Sequence, residues 1–252
     1  MKLIAGIDEA GRGPIFGPLI IAGVTFLKEK IPKLSGYGIK DSKQLSAKKR
    51  EELSKIIKDE AKSYCLIKIT PQEIDQALKS DTDNLNKLEI RKFFEIIQKL
   101  NSDVFYVDAV SKPASFSSVF KSYSQKVGKS CFTINNIQKT PYTGQGQVLH
   151  LPEDEKIIIV ENKADTIYPI VGAASILAKV ERDQIIAELS QKFGDLGSGY
   201  PSDPHTRDFL LKNKNNLHQP EFQELIRFQW KTVQKLFEKV RISSLDTYLS
   251  KE

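Results

Sequence analysis

Near the amino terminus, the stretch "IAGIDEAGRGPIFGP" (residues 4–18) places two adjacent acids, Asp8 and Glu9, at the end of a short apolar run, with Gly11, Arg12 and Gly13 following at once. Two further acids stand at similar boundaries. Asp108 closes "DVFYVD", and Asp165, in "NKADTIYP", comes just before a long helical pattern. Carboxylates that converge repel one another, and a fold tolerates this when a hard divalent cation supplies the opposing charge. An all-oxygen set of Asp8, Glu9, Asp108 and Asp165 favours Mg²⁺ or Mn²⁺ over zinc. His150, His205 and His218 lack ligand-like spacing, and Cys65 and Cys131 lack the paired spacing of a zinc site. The competing reading is four unrelated turn or cap acids, and spacing alone does not choose between the two.

The elements that must position these acids follow from periodicity. Residues 3–7 and 19–26 are branched apolar runs that read as two strands joined by a Gly/Pro-punctuated turn, so the acid pair sits at a strand end. Ser46 caps an expected helix over residues 47–61, and "YCLIKI" reads as a strand. "TPQE" carries a capping box, with Thr70 as the cap, Pro71 at the first helical position and Glu73 three residues after the cap. Helical spacing over residues 83–100 precedes the strand that ends on Asp108. Residues 113–127 read as a helix, "KIIIVEN" as a buried strand, and residues 168–193 as a long helix stopped by Gly194. Further helices are expected over 204–212 and 220–240, while residues 128–155 lack periodicity and fit either an extra hairpin or a mobile loop. Strands early and helices late make an α/β sheet domain with a helical C-terminal part.

The 252-residue chain carries a formal charge of +6, which suits a polyanionic partner such as nucleic acid and equally a solvated basic surface. Two cysteines without framework spacing point to a reduced, intracellular protein. With no leader pattern ahead of the first strand and no apolar run of membrane-spanning length, a soluble, cytoplasmic monomer is expected.

Six segments narrow these alternatives. "GIDEAGRGP", "IKDSKQLS", "YVDAV", "KADTIYPIVGAASILAKVERD", "GSGYPSDP" and "FQWKT", in that order, resemble ribonuclease HII, the type 2 ribonuclease H family, in its archaeal and eukaryotic branch. The resemblance covers about residues 3–240. It implies a ribonuclease H-like fold, a mixed central sheet flanked by helices: a catalytic domain over 1–200, a helical substrate-binding part over 201–241 and a polar tail over 242–252. It also implies that Asp8, Glu9, Asp108 and Asp165 are the catalytic, metal-binding acids. Two Mg²⁺ or Mn²⁺ ions then serve endonucleolytic hydrolysis of the RNA strand of an RNA/DNA hybrid, leaving a 3′-hydroxyl and a 5′-phosphate. Duplex DNA holding a single ribonucleotide is expected to be cut on the 5′ side of the ribose.

Under the same resemblance Gly11, Arg12 and Gly13 read the ribonucleotide: glycine lets the backbone approach a 2′-hydroxyl, and Arg12 pairs with a phosphate. Tyr200 packs against the following sugar, where a deoxyribose fits better. Lys43 resembles a phosphate contact, and Ser175, Lys179 and Arg182 are further candidates for touching substrate. Ala109 and Val110 depart from the hydroxyl residue and glycine that relatives often carry, so that turn is expected to differ. In the tail "ISSLDTYLSKE", Leu245, Tyr248 and Leu249 resemble the clamp-binding peptide of replication and repair proteins, with Ile242 where glutamine is usual. One helical turn there would plug a pocket on a sliding clamp. A hybrid-binding protein without cleavage is opposed by the presence of all four acids. Another nuclease of the same broad fold is opposed by "GRG" and "GSGYP".

Overall fold

The computed structural model describes residues 2–39, 45–133, 146–217, 219–235 and 238. Lys43 and the tail residues Leu245, Tyr248 and Leu249 therefore lie outside the described residues.

The first apolar run forms β1 (Leu3–Ala10), antiparallel to β2 (Leu19–Leu27) and parallel to β4 (Val104–Asp108). β4 pairs in parallel with β7 (Lys156–Glu161). With β3 (Ser63–Ile69), β5 (Phe132–Thr133) and β6 (Gln147–Leu151) they make one mixed sheet in the order β3-β2-β1-β4-β7-β6-β5. Buried residues run almost unbroken along β1 and β2, as strands covered on both faces require, whereas edge strand β3 is only partly buried.

Helices flank this sheet. A short α1 (Ile31–Gly36) is followed by α2 (Ala47–Glu60), which starts where Ser46 accepts a hydrogen bond from the Lys49 N–H. α3 (Pro71–Lys79) carries the reciprocal Thr70–Glu73 capping box that its sequence called for. α4 (Leu85–Lys99) and α5 (Pro113–Lys126) pack through Phe93, Phe94, Phe116 and Phe120. A one-turn α6 (Ala164–Ile167) leads into α7 (Pro169–Phe193), which Gly194 ends in the left-handed region at φ +96°. α8 (Pro204–Lys212) and a one-turn α9 (Pro220–Gln223) follow. None of the described helices is long and apolar enough to cross a membrane.

One sequence expectation is narrowed and another changes. Residues 128–155 supply β5 and β6, an antiparallel extension of the sheet beside β7, so the hairpin reading fits the described residues of this segment; residues 134–145 lie outside the described residues. The single helix expected over 220–240 is broken. α9 stops at Gln223, and helix resumes only at residue 231. The cause is a strand-like bridge between Phe16 and Ile226, in which Gly17 N–H donates to Leu225 O (2.8 Å) and Arg227 N–H donates to Ile15 O (3.0 Å). Backbone groups spent on that pairing cannot also close helical turns.

The chain packs as two compact units. The first comprises residues 1–10, 20–68 and 85–181, and the second residues 11–19, 69–84 and 182–252. Residues 182–200 fall within the second unit. The second unit has its own core, in which Ile15, Phe16, Leu196, Phe209, Leu225 and Ile226 are buried together.

Candidate active site

Parallel pairing of β1, β4 and β7 aims their carboxyl ends the same way, and the acids sit at those ends. Asp8 is on β1, Asp108 is the last residue of β4, and Asp165 lies in α6, just beyond β7. One carboxylate oxygen from each of Asp8, Asp108 and Asp165 lies within 4.8 Å of the other two. Glu9 is not in that group. It follows Asp8 along β1, and its charge lies near enough to act on the Asp8 carboxyl.

Burial, then the charge of Glu9, with a smaller push from Asp165, drive the Asp8 carboxyl well above the usual carboxylate range. Asp8 is only 4 % exposed. A hydroxyl hydrogen bond from Ser175 and the Glu9 N–H, 2.8 Å from Asp8 Oδ1, act the other way and favour the anion. The Ala164 N–H donates to Asp108 Oδ1 at 3.0 Å, tying the end of β4 to the helix that carries Asp165. Beside Asp108 in register stands buried Glu161, whose Oε2 accepts from the Tyr168 hydroxyl at 2.6 Å. The Ala109 N–H donates to the Glu161 carbonyl (3.0 Å), which is how the Ala109–Val110 turn leaves the sheet.

Close approach of α7 to β1 completes this part. A Cβ on Gly6 would stand 2.2 Å from the Ile170 carbonyl oxygen, so only glycine lets the start of α7 lie against the strand that bears Asp8. Gly172 has the same role against Ile39 and the Asp165 carbonyl. Ser175, three residues further into the buried stretch, is 1 % exposed and reaches Asp8 rather than the surface. Lys179 is partly buried on the same helix.

The donor set fits a hard divalent cation. One oxygen from each of three carboxylates, gathered within 4.8 Å of one another, offers the all-oxygen set that such an ion takes. A buried Asp8 whose anion is disfavoured by its neighbours is the electrostatic condition such an ion relieves.

In the second unit the Gly11–Gly13 loop and the "GSGYPSDP" loop meet. Ile15 N–H donates to Gly199 O at 2.7 Å, and a Cβ on Gly13 would touch the Tyr200 ring at 3.3 Å. Tyr200 is 40 % exposed, with the Arg182 guanidinium 5.5 Å from its ring centre. Arg182 is itself buried, and its Nη2 donates to Ser198 O (3.2 Å), so it braces these loops from beneath. Asp203 accepts from the Ser198 N–H and hydroxyl, both at 2.6 Å; these bonds hold its pKa down to about 2 and shape the turn that presents Tyr200.

Three residues that sequence did not single out belong here. Arg227, fully buried, donates to the carbonyls of Gly11, Arg12 and Gly17, and Trp230 Nε1 donates to Gly13 O. Asp75, on α3, accepts from the N–H groups of Phe228 and Gln229 at 2.8 and 3.0 Å. "FQWKT" pointed to Trp230 only as part of a motif. A buried arginine has no local signal, because arginine is exposed by default.

Carboxylates gathered at the carboxyl edge of a mixed, helix-flanked sheet define a metal-dependent hydrolase of the ribonuclease H-like class. The family model described as Ribonuclease HII matches residues 5–233. Ribonuclease HII of Methanosarcina barkeri is 38% identical over 240 residues, covering 95% of this chain and 97% of the relative. Among solved structures, ribonuclease H2 of Pyrococcus horikoshii OT3 superposes with a TM-score of 0.74 at 36% identity, covering 95% of this chain and 99% of that one. The ribonuclease HII of Archaeoglobus fulgidus, solved in complex with PCNA, gives a TM-score of 0.71 at 34% identity, covering 92% and 96%. The chain belongs to the ribonuclease HII family. It is accordingly a divalent-metal-dependent endoribonuclease of RNA/DNA hybrids.

Proposed function

We propose that this enzyme also cuts duplex DNA at an embedded ribonucleotide, on the 5′ side of the ribose, using two Mg²⁺ or Mn²⁺ ions held by Asp8, Glu9, Asp108 and Asp165. The observation that carries the reading is the convergence of Asp8 and Asp108, from the parallel strands β1 and β4, with Asp165 from α6 just beyond β7. Bound there, divalent ions supply the Lewis acidity that activates water and stabilises the departing 3′-oxygen. The chain's own residues do the rest. Ser175 and the Glu9 N–H orient Asp8, Ala164 N–H orients Asp108, and the Tyr168–Glu161 bond ties the end of β7 to the far end of the α6 turn that carries Asp165.

Selection of the ribose falls to Gly11–Gly13, which come just after the acid pair in the chain and form a turn whose Gly13 is exposed beside Tyr200. Backbone donors there suit a 2′-hydroxyl, Arg12 suits a phosphate, and the Tyr200 ring offers a flat face to the next, deoxy sugar. Lys43 and Lys179 add phosphate contacts. A sliding clamp is the proposed partner of residues 242–252 through Leu245, Tyr248 and Leu249, in keeping with the PCNA-bound relative of Archaeoglobus fulgidus.

The test is a labelled duplex containing one ribonucleotide, incubated with Mg²⁺, Mn²⁺ or chelator and mapped to the nucleotide. Cleavage 5′ of the ribose in either metal, and none in chelator, is expected. A cut at another position, or one that survives chelation, refutes the proposal.

A further inference from the structure

Glycine-flanked peptides flip easily, so a loop built on Gly11 and Gly13 would present its N–H groups in many directions unless something held its carbonyls. Gly11 itself sits in the left-handed region, at φ +92°. The carbonyls are held by one pair of side chains. Arg227 donates from Nη2 to Gly11 O (2.7 Å), from Nη1 to Arg12 O (3.2 Å) and from Nε to Gly17 O (3.0 Å), and Trp230 Nε1 donates to Gly13 O (3.1 Å). The guanidinium lies 5.0 Å from the centre of the Trp230 ring. Both sit on the break between helical segments, whose shape Asp75 sets through the Phe228 and Gln229 N–H groups.

We infer that Arg227 and Trp230 are positioning residues for ribose selection, acting through the Gly11–Gly13 backbone. In a trans peptide the C=O and the next N–H point to opposite sides. Drawing the carbonyls of Gly11 and Arg12 toward Arg227 therefore turns the N–H groups of Arg12 and Gly13 away from it, as two fixed donors. A fully buried guanidinium is costly to desolvate, and an apolar side chain would fill the same core; charge-assisted bonds to loop carbonyls are what the arginine adds. This inference rests on the reading of Gly11–Gly13 as the ribose contact.

The experiment uses the full chain made cleavage-deficient by Asp108→Asn, in Mg²⁺, and two duplexes that differ only by one ribonucleotide replaced with its deoxy form. The ratio of their dissociation constants reads ribose selection. Trp230→Phe and Arg227→Lys are compared with the parent, together with amide hydrogen exchange at Arg12 and Gly13. Trp230→Phe should fold and bind the all-DNA duplex as the parent does, with the ratio reduced about fivefold, as for loss of one orienting hydrogen bond, and with faster exchange at both amides. Arg227→Lys should lose more; if it does not fold, Trp230→Phe decides alone. A folded variant that keeps the parent's ratio, or weakens on both duplexes equally, overturns the inference while leaving the ribose reading intact. A parent that does not discriminate overturns the ribose reading and the inference with it.

Discussion

Asp8→Asn should stabilise the metal-free protein while abolishing turnover, because the same charge that recruits a cation burdens the fold without one. Asp8 lies within 4.8 Å of both Asp108 and Asp165, measured between carboxylate oxygens. At an effective dielectric of about 20, two unit charges at that separation repel by roughly 3.5 kcal/mol. Two such pairs involve Asp8, the charge of neighbouring Glu9 adds to them, and partial protonation relieves part of the repulsion. A gain on the order of 1–3 kcal/mol at neutral pH is therefore expected on substitution. For a chain of this size that is about 3–10 °C in Tm. The pH dependence has a definite sign. The folded-state pKa of Asp8 is raised above its ordinary value of 3.8, chiefly by burial. Its contribution is thus most favourable below that value and is lost as pH rises through the raised folded pKa. In chelator, the parent should fall behind Asp8→Asn across that window and stay behind above it. Saturating Mg²⁺ should reverse the order, since the ion binds the native parent and raises its stability by mass action. Thermal melts followed by circular dichroism across pH, in chelator and in Mg²⁺, measure both effects. Asp8→Asn melting below the parent in chelator at neutral pH would refute the electrostatic argument.

Gly6→Ala forces a Cβ to within 2.2 Å of the Ile170 carbonyl, and the required shift of α7 should cost about 1–3 kcal/mol or more and lower turnover through displacement of Ser175; a melt and a rate equal to the parent's would show that α7 is not so tightly seated. Tyr200→Ala should lose more activity on a single embedded ribonucleotide than on a long hybrid, measured as kcat/KM on each, and equal losses would count against its selecting a deoxyribose. Removing residues 242–252 should leave cleavage of short duplexes unchanged and abolish binding to the cognate sliding clamp in calorimetry; undiminished binding would place the clamp contact elsewhere.

Features written within a few residues of one another were legible in the sequence alone. The Thr70–Glu73 capping box, the Ser46 cap and the Gly194 stop each involve partners in one helical turn, and all three stand where periodicity put them. Asp8, Asp108 and Asp165 could be recognised singly as acids at element boundaries. That their oxygens gather depends on β1, β4 and β7 being parallel neighbours, pairings that join residues 100 positions apart for β1–β4 and 53 apart for β4–β7. Residues 220–240 show the opposite case. Their helical spacing is real, but Ile226 pairs with Phe16 and Arg227 reaches the carbonyls of Gly11, Arg12 and Gly17, and these distant partners outweigh local propensity. Arg227 and Asp75 carry no mark in the sequence because a charged side chain is exposed unless tertiary structure supplies partners for its charge, and only the folded chain brings those partners within hydrogen-bonding distance.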